Sequence, residues 1–268
     1  MTKLSEYEHL GKVYRKQLFE KFVAVQQGHP GSVYSMMDIA VVLYHGGFVR
    51  FDSNQKVFLD RVVISKGHAT ATLYPILRNF GVIPEAEWEN WGHASSMLRV
   101  FGNTSMPGID VTSGSLGHGV GVGAGMALAA KARGEDTRIF VVISEGELYE
   151  GSTWEGLLFA HHHKLDNLTI IVDVNDLIIL GATDDCLKLN PINNKINGLG
   201  IDTIEVNGHD YEELSTAFKI NADKPMLTCM VAKTVKGKGV SFMENKNNWH
   251  YYNSMTEDQI ELARKELT

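Results

Sequence analysis

The chain has 268 residues, 44% hydrophobic and 21% charged, an ordinary composition for a globular protein of one large domain or two small ones. Its formal net charge of −7 argues against a nucleic-acid partner, because phosphate backbones attract basic surfaces. The polar opening MTKLSEYEHLGKVYRK is unlike a signal peptide, and the least polar run, Val120 to Ala130, is too short to span a bilayer. Two scattered cysteines, Cys186 and Cys229, lack metal-ligand spacing and suit a reducing compartment, so a cytoplasmic protein without membrane contact is expected.

Leu4, Tyr7, Leu10, Tyr14, Leu18, Phe22 and Val25 recur at helical spacing, which predicts an amphipathic helix from about Leu4 to Gln27. Gly28-His29-Pro30-Gly31-Ser32 breaks it, and Ser35 to Tyr44 reads as a buried helix. On spacing alone His29 is a turn histidine. Arg61 to Ser65 is a short strand that runs into Ser65-Lys66-Gly67-His68-Ala69 and a helix through Leu77. A strand, a glycine turn and a helix start make an anion-friendly corner, where His68 is either a turn residue or a ligand contact. Gly81 to Met106 reads mostly as loop. In the glycine-rich segment that follows, Gly117, Gly121 and Gly125 fall at i, i+4 and i+8. They predict a glycine face suited to a buried helix or to contact between subunits.

The segment from Arg138 to Leu177 carries the clearest chemical signal. Two apolar runs, Ile139 to Ile143 and Leu168 to Val174, flank a helical stretch from Trp154 to His163, which predicts a βαβ unit. Both strands then end on one edge of a parallel sheet, where ligands bind. Glu145 and Asn175 stand at those ends. They are either ordinary loop residues or a hard-oxygen pair suited to Mg²⁺. Glu150 reads as a solvated glutamate at the helix start. His161, His162 and His163 point in different helical directions and are not a metal cluster.

Asp202 to Val206 and Met226 to Lys233 predict two more strands, with Tyr211 to Ile220 as the helix between them. Asn207-Gly208-His209-Asp210 reads as a turn, and the lysines of Thr234 to Gly239 are either solvated or meet anionic groups. Thr256 to Gln259 looks like a capping box opening a final helix, Glu257 to Leu267. No linker or repeat is evident, so a single domain over 1–268 is expected. The fold class is α/β: a doubly wound, mostly parallel sheet with helices on both faces. No Rossmann or P-loop glycine fingerprint is present, which speaks against a plain nucleotide-binding protein.

Ser144-Glu145-Gly146, followed by Asn175 thirty residues after Glu145, resembles the diphosphate–metal motif of thiamine-diphosphate enzymes, and among them the transketolase family. The flanking GELYEGSTWEGLLFAHHHKLDNL is similar to that family too. So are Gly28-His29-Pro30-Gly31, Ser65-Lys66-Gly67-His68-Ala69, Pro107-Gly108-Ile109-Asp110, the loop Ser113 to Gly117, and Lys233 through His250. The resemblance implies a thiamine-diphosphate-binding fold and a transferase that moves a two-carbon ketol unit from a ketose to an aldehyde. It implies a cation, Mg²⁺ or the more permissive Ca²⁺ or Mn²⁺, on Glu145, Asn175 and the Leu177 carbonyl. His68, Gly114, Leu116, Gly146, Glu147, Asn175, Lys236 and His250 would contact the cofactor. His29, His68 and His250 would handle protons on substrate hydroxyls, since imidazole titrates near neutral pH. Glu150 would face another subunit.

The likeness runs from about Leu4 to His250 and matches only the diphosphate-binding domain. The expectation is therefore the N-terminal subunit of a split transketolase, inactive alone and completed by a C-terminal chain carrying the pyrimidine-binding domain, as a heterotetramer acting on sugars or sugar phosphates. Two departures stand out. Glu145 replaces the family's Asp, and no histidine precedes Pro107 where members often carry a substrate-facing one. They leave room for another thiamine-diphosphate enzyme, such as a 2-oxoacid dehydrogenase chain or a specialised sugar synthase, or for a degenerate structural subunit.

Overall fold

A computed structural model describes residues 2–223 and 226–268. Five parallel strands form the central sheet: β1 (Arg61–Ile64), β2 (Ile139–Ser144), β3 (Leu168–Val174), β4 (Asp202–Asn207) and β5 (Thr228–Lys233). Their spatial order is β1-β2-β3-β5-β4. β3 lies at the centre and all seven of its residues are buried, as a parallel strand covered on both faces must be.

Alternation along the strands builds two cores. Val62, Ile64, Phe140, Val142, Ile171 and Met230 face one, where they meet helices α1 (Lys3–Val25), α2 (Pro30–His45) and α3 (Leu73–Asn79). Val63, Val141, Ile143, Ile170, Val172 and Val231 face the other, against helices α4 (Gly119–Arg133) and α5 (Gly151–His162). Helix α6 (Tyr211–Asp223) joins the first core, as does α7 (Glu257–Glu266) through Ala263. The doubly wound α/β arrangement is as the sequence predicts. Among the described residues no helix is long and apolar enough to cross a membrane.

Several boundaries differ for physical reasons. α2 begins at Pro30 rather than Ser35, because proline's fixed φ suits the first helical position. Leu4 is exposed, and α1 instead buries Gly11 and Arg15 alongside Tyr7, Tyr14, Leu18 and Phe22. The segment Gly67–Thr72 is a 3₁₀ turn that leads into α3. The predicted loop Gly81 to Met106 contains a short helix, Glu85–Glu89, and sends Trp88 and Trp91 into the core.

The glycine helix packs on the sheet through glycines other than the predicted three. Gly119 and Gly123 are the packed pair: a Cβ on either would overlap Ser65 or Val141. Gly121 and Gly125 are exposed with open space beside them. Gly117 precedes the helix at φ +86°, where a Cβ would come within 2.6 Å of Glu150 Cβ.

Candidate functional site

The carboxyl ends of β1, β2, β3 and β5 open onto one cavity of about 340 Å³. Its walls are His29 with the first turn of α2, the turn after β1, the glycine loop, the turns after β2 and β3, and the segment from Lys236 to Tyr251. His29, His68, Gly114, Leu116, Glu145, Gly146, Glu150, Asn175, Leu177, Lys236 and His250 all line it. The topology therefore gathers residues from widely separated stretches of sequence.

Glu145 is fully buried at the end of β2. Its Oε1 accepts the backbone N–H groups of Asn175 at 3.0 Å and Leu177 at 3.1 Å, while its Oε2 is buried without a partner. The longer glutamate thus ties the turn after β3 to β2 with one oxygen and leaves the other free. Burial, with Asp176 and Asp173 nearby, pushes its carboxyl up to about 7. An orphaned carboxylate oxygen beside an asparagine amide and a backbone carbonyl is a hard-oxygen set that fits a divalent cation. Among the described residues no group of three or more His, Cys, Asp or Glu could hold a metal, so a cation here would depend on this mixed set.

The three histidines converge. Ring centroids lie 5.2 Å apart for His29 and His68, 5.5 Å for His29 and His250, and 5.4 Å for His68 and His250. His68 Nε2 lies 3.1 Å from Ser32 Oγ, and Lys236 Nζ donates to His250 Nδ1 at 3.0 Å. His29 Nδ1 is buried and unpaired. Burial, and then Lys236, push His29 down to about 4 and His250 down to about 3. Burial and Lys66 hold His68 well below its ordinary value. All three rings are thus held below the ordinary imidazole range.

Glu147 is the exception among the predicted residues. It is completely buried and turned away from the cavity. Its carboxylate accepts from the Ser65 hydroxyl, from Gly117 N at 2.9 Å and from Ser144 N at 3.2 Å. It fastens the glycine loop to the ends of β1 and β2. Lys236 Nζ, besides meeting His250, lies 3.4 Å from the Leu177 carbonyl, and burial followed by Lys66 lowers its ammonium to about 8.

Sequence reasoning missed the floor of the site. Lys66 and Asp173 form an ion pair with neither side chain exposed. Asp173 also accepts from Ser35 Oγ at 2.6 Å and from the Thr234 hydroxyl. Burial alone would raise the Asp173 carboxyl, but Lys66, Ser35 and Thr234 together outweigh it and hold it low. The available signal was an aspartate inside an otherwise apolar strand. Also missed were Phe101 and Tyr251, whose rings flank His29 at 5.8 and 4.9 Å.

Strand order and cavity position define an α/β domain of parallel strands with a polar-lined cavity at the carboxyl edge of its sheet. Residues 12–268 match the family described as transketolase, thiamine diphosphate binding domain, and the chain belongs to that family. It is 35% identical over 258 residues to the A subunit of the apulose-4-phosphate transketolase of Phocaeicola vulgatus, covering 95% of this chain and 91% of the relative. The corresponding protein of Actinobacillus succinogenes, described in the same words, is 35% identical over 245 residues, covering 90% and 87%. Among solved structures, the transketolase of Campylobacter jejuni superposes with a TM-score of 0.87 at 26% identity, over 98% of this chain and 43% of that one. The chain therefore spans less than half the length of that transketolase but nearly the whole of the two apulose-4-phosphate relatives.

Proposed function

We propose that the chain is the N-terminal subunit of a split, thiamine-diphosphate-dependent transketolase. It transfers a two-carbon ketol unit from a ketose to an aldehyde, in a complex with a C-terminal chain that carries the pyrimidine-binding domain. The observation that carries this reading is the meeting of an orphaned Glu145 oxygen, Asn175, the Leu177 carbonyl and three histidines in one cavity. The near full-length match to two relatives that are themselves named as single subunits supports the split arrangement.

When bound, the cofactor supplies an electron sink for breaking a carbon–carbon bond beside a carbonyl. Glu145 Oε2, the Asn175 side chain and the Leu177 carbonyl would hold Mg²⁺, with Ca²⁺ or Mn²⁺ as alternatives. Lys236, His68 and His250 would face the diphosphate beside Gly146, and Gly114 and Leu116 would lie against the aminopyrimidine ring. Glu147 would act by holding the glycine loop in place. His29, neutral and with a free ring nitrogen, would exchange a proton or hydrogen bond with a substrate hydroxyl. Exposed Glu150 at the rim would meet the neighbouring subunit. The expected assembly is a cytoplasmic heterotetramer of two single-domain chains of this kind with two partners. The apulose 4-phosphate named for the two relatives is the first donor to try.

A coupled spectrophotometric assay with ketose phosphates tests this reading. Turnover by the mixed chains and none by either alone is expected. Full turnover by this chain alone, or product from pyruvate but from no ketose, would overturn it.

A further inference from the structure

His209 lies in the turn after β4, outside the cavity. Its Nε2 accepts the backbone N–H of Val235 at 2.8 Å, and its Nδ1 lies 2.7 Å from Asp38 Oδ2. A backbone N–H can only donate, so Nε2 is the bare nitrogen and Nδ1 carries the proton that is given to Asp38. Asp38 is buried in α2 and already anchored: Arg15 grips its two oxygens at 2.8 and 2.7 Å, and the Tyr211 hydroxyl donates at 2.6 Å. Arg15 is itself fixed by the Tyr34 carbonyl at 2.9 Å. The Asp38 charge is therefore met without His209, and the imidazole's other bond goes to the loop that holds Lys236.

That loop is seated closely on the turn. Gly208 N donates to the Lys233 carbonyl at 2.7 Å, and a Cβ on Gly208 would come within 2.5 Å of Thr234 Cγ2. Val235 immediately precedes Lys236, whose ammonium meets His250 and the Leu177 carbonyl inside the cavity. An unbroken chain of contacts thus runs from a rigid buried ion pair to a cation in the site.

We infer that His209 is a positioning residue: the hydrogen bond its Nε2 accepts from the Val235 N–H holds Lys236 against His250 and the Leu177 carbonyl, and its Nδ1–H to Asp38 fixes the ring tautomer that makes this bond. Its effect on the cofactor rests on the proposed function, whereas its effect on the loop does not.

Two substitutions separate this role from plain structural support. An asparagine amide reaches where Nδ1 stands, and a glutamine amide reaches where Nε2 stands. His209→Asn keeps the contact to Asp38 and loses Val235; His209→Gln keeps Val235 and loses Asp38. Amide hydrogen exchange is measured on the full chain, and thiamine diphosphate with Mg²⁺ is titrated into the full complex. With His209→Asn, exchange at Val235 and Lys236 should quicken about tenfold, the scale of one lost buried hydrogen bond, and cofactor affinity should fall by a similar factor. With His209→Gln, which keeps the Val235 bond, both should stay within about threefold of wild type. Equal exchange in all three proteins, or a glutamine variant as impaired as the asparagine one, would overturn the inference. If the wild-type complex binds no cofactor, the proposed function fails, and the exchange comparison still decides the role of His209.

Discussion

Lys66 and Asp173 pair beneath the cavity with both side chains wholly removed from solvent. The pair joins the turn after β1 to β3, and Asp173 draws in Ser35 and Thr234, so one buried carboxylate fixes three walls of the site. Removing one partner strands a charge in the interior. Lys66→Met should cost about 3–5 kcal/mol, and Lys66→Met with Asp173→Leu should recover part of that loss. Denaturant midpoints of the two variants check this; a double variant no more stable than the single would contradict it.

The two sets of glycines on α4 predict opposite signs. Gly123→Ala would force a methyl into Val141 and should destabilise by about 1–3 kcal/mol. Gly125→Ala meets open space in a helix interior and should stabilise the isolated chain by about 0.5–1 kcal/mol. Thermal unfolding of both variants is the measurement, and equal shifts would contradict the assigned faces.

His29 carries a pH dependence whose sign is fixed. Unfolded, its ring takes a proton below about 6.5, whereas burial and Lys236 delay this to about 4 in the folded chain. Between those values the unfolded state binds more protons, so stability falls as pH drops from about 6.5 toward 4. The cofactor-free chain should lose stability across that window, and His29→Asn should lose less. Urea midpoints at pH 7 and pH 4.5 decide it; parallel losses in the two proteins would show that burial does not set the His29 charge.

Glu145 should show function opposed to stability. Its Oε2 is buried without a partner, a cost that the cofactor-free chain bears. Glu145→Gln keeps an oxygen for the Asn175 and Leu177 N–H groups and removes the buried charge. The variant should unfold at an equal or higher midpoint than wild type while losing metal-dependent cofactor binding. A lower midpoint together with intact binding would contradict that account.

Much of this was legible in sequence because parallel strands are apolar runs and their ends carry the chemistry. Glu145, Asn175, His29 and His68 stand beside glycines or strand ends, whereas His250 was reached through the family resemblance alone. Glu147 was misplaced because sequence gives its position on the turn but not its direction: its carboxylate goes to Ser65 and Gly117. The i, i+4, i+8 rule chose Gly117, Gly121 and Gly125 for a buried helix or a subunit contact, whereas contact with the sheet uses Gly119 and Gly123, which only the helix start at Gly119 decides. Lys66, Asp173 and His209 went unread as partners because their contacts join residues 107, 138 and 171 positions apart. No local period encodes such pairings.

The central claim is that this chain and a pyrimidine-binding partner together hold thiamine diphosphate through a cation on Glu145. Calorimetric titration of thiamine diphosphate into the two mixed chains, with Mg²⁺ and then with chelator, tests it most directly. Saturable binding that needs both the cation and the partner, and that disappears in Glu145→Gln, is the predicted result. Equal binding with chelator present, or none with Mg²⁺, Ca²⁺ or Mn²⁺, would contradict it.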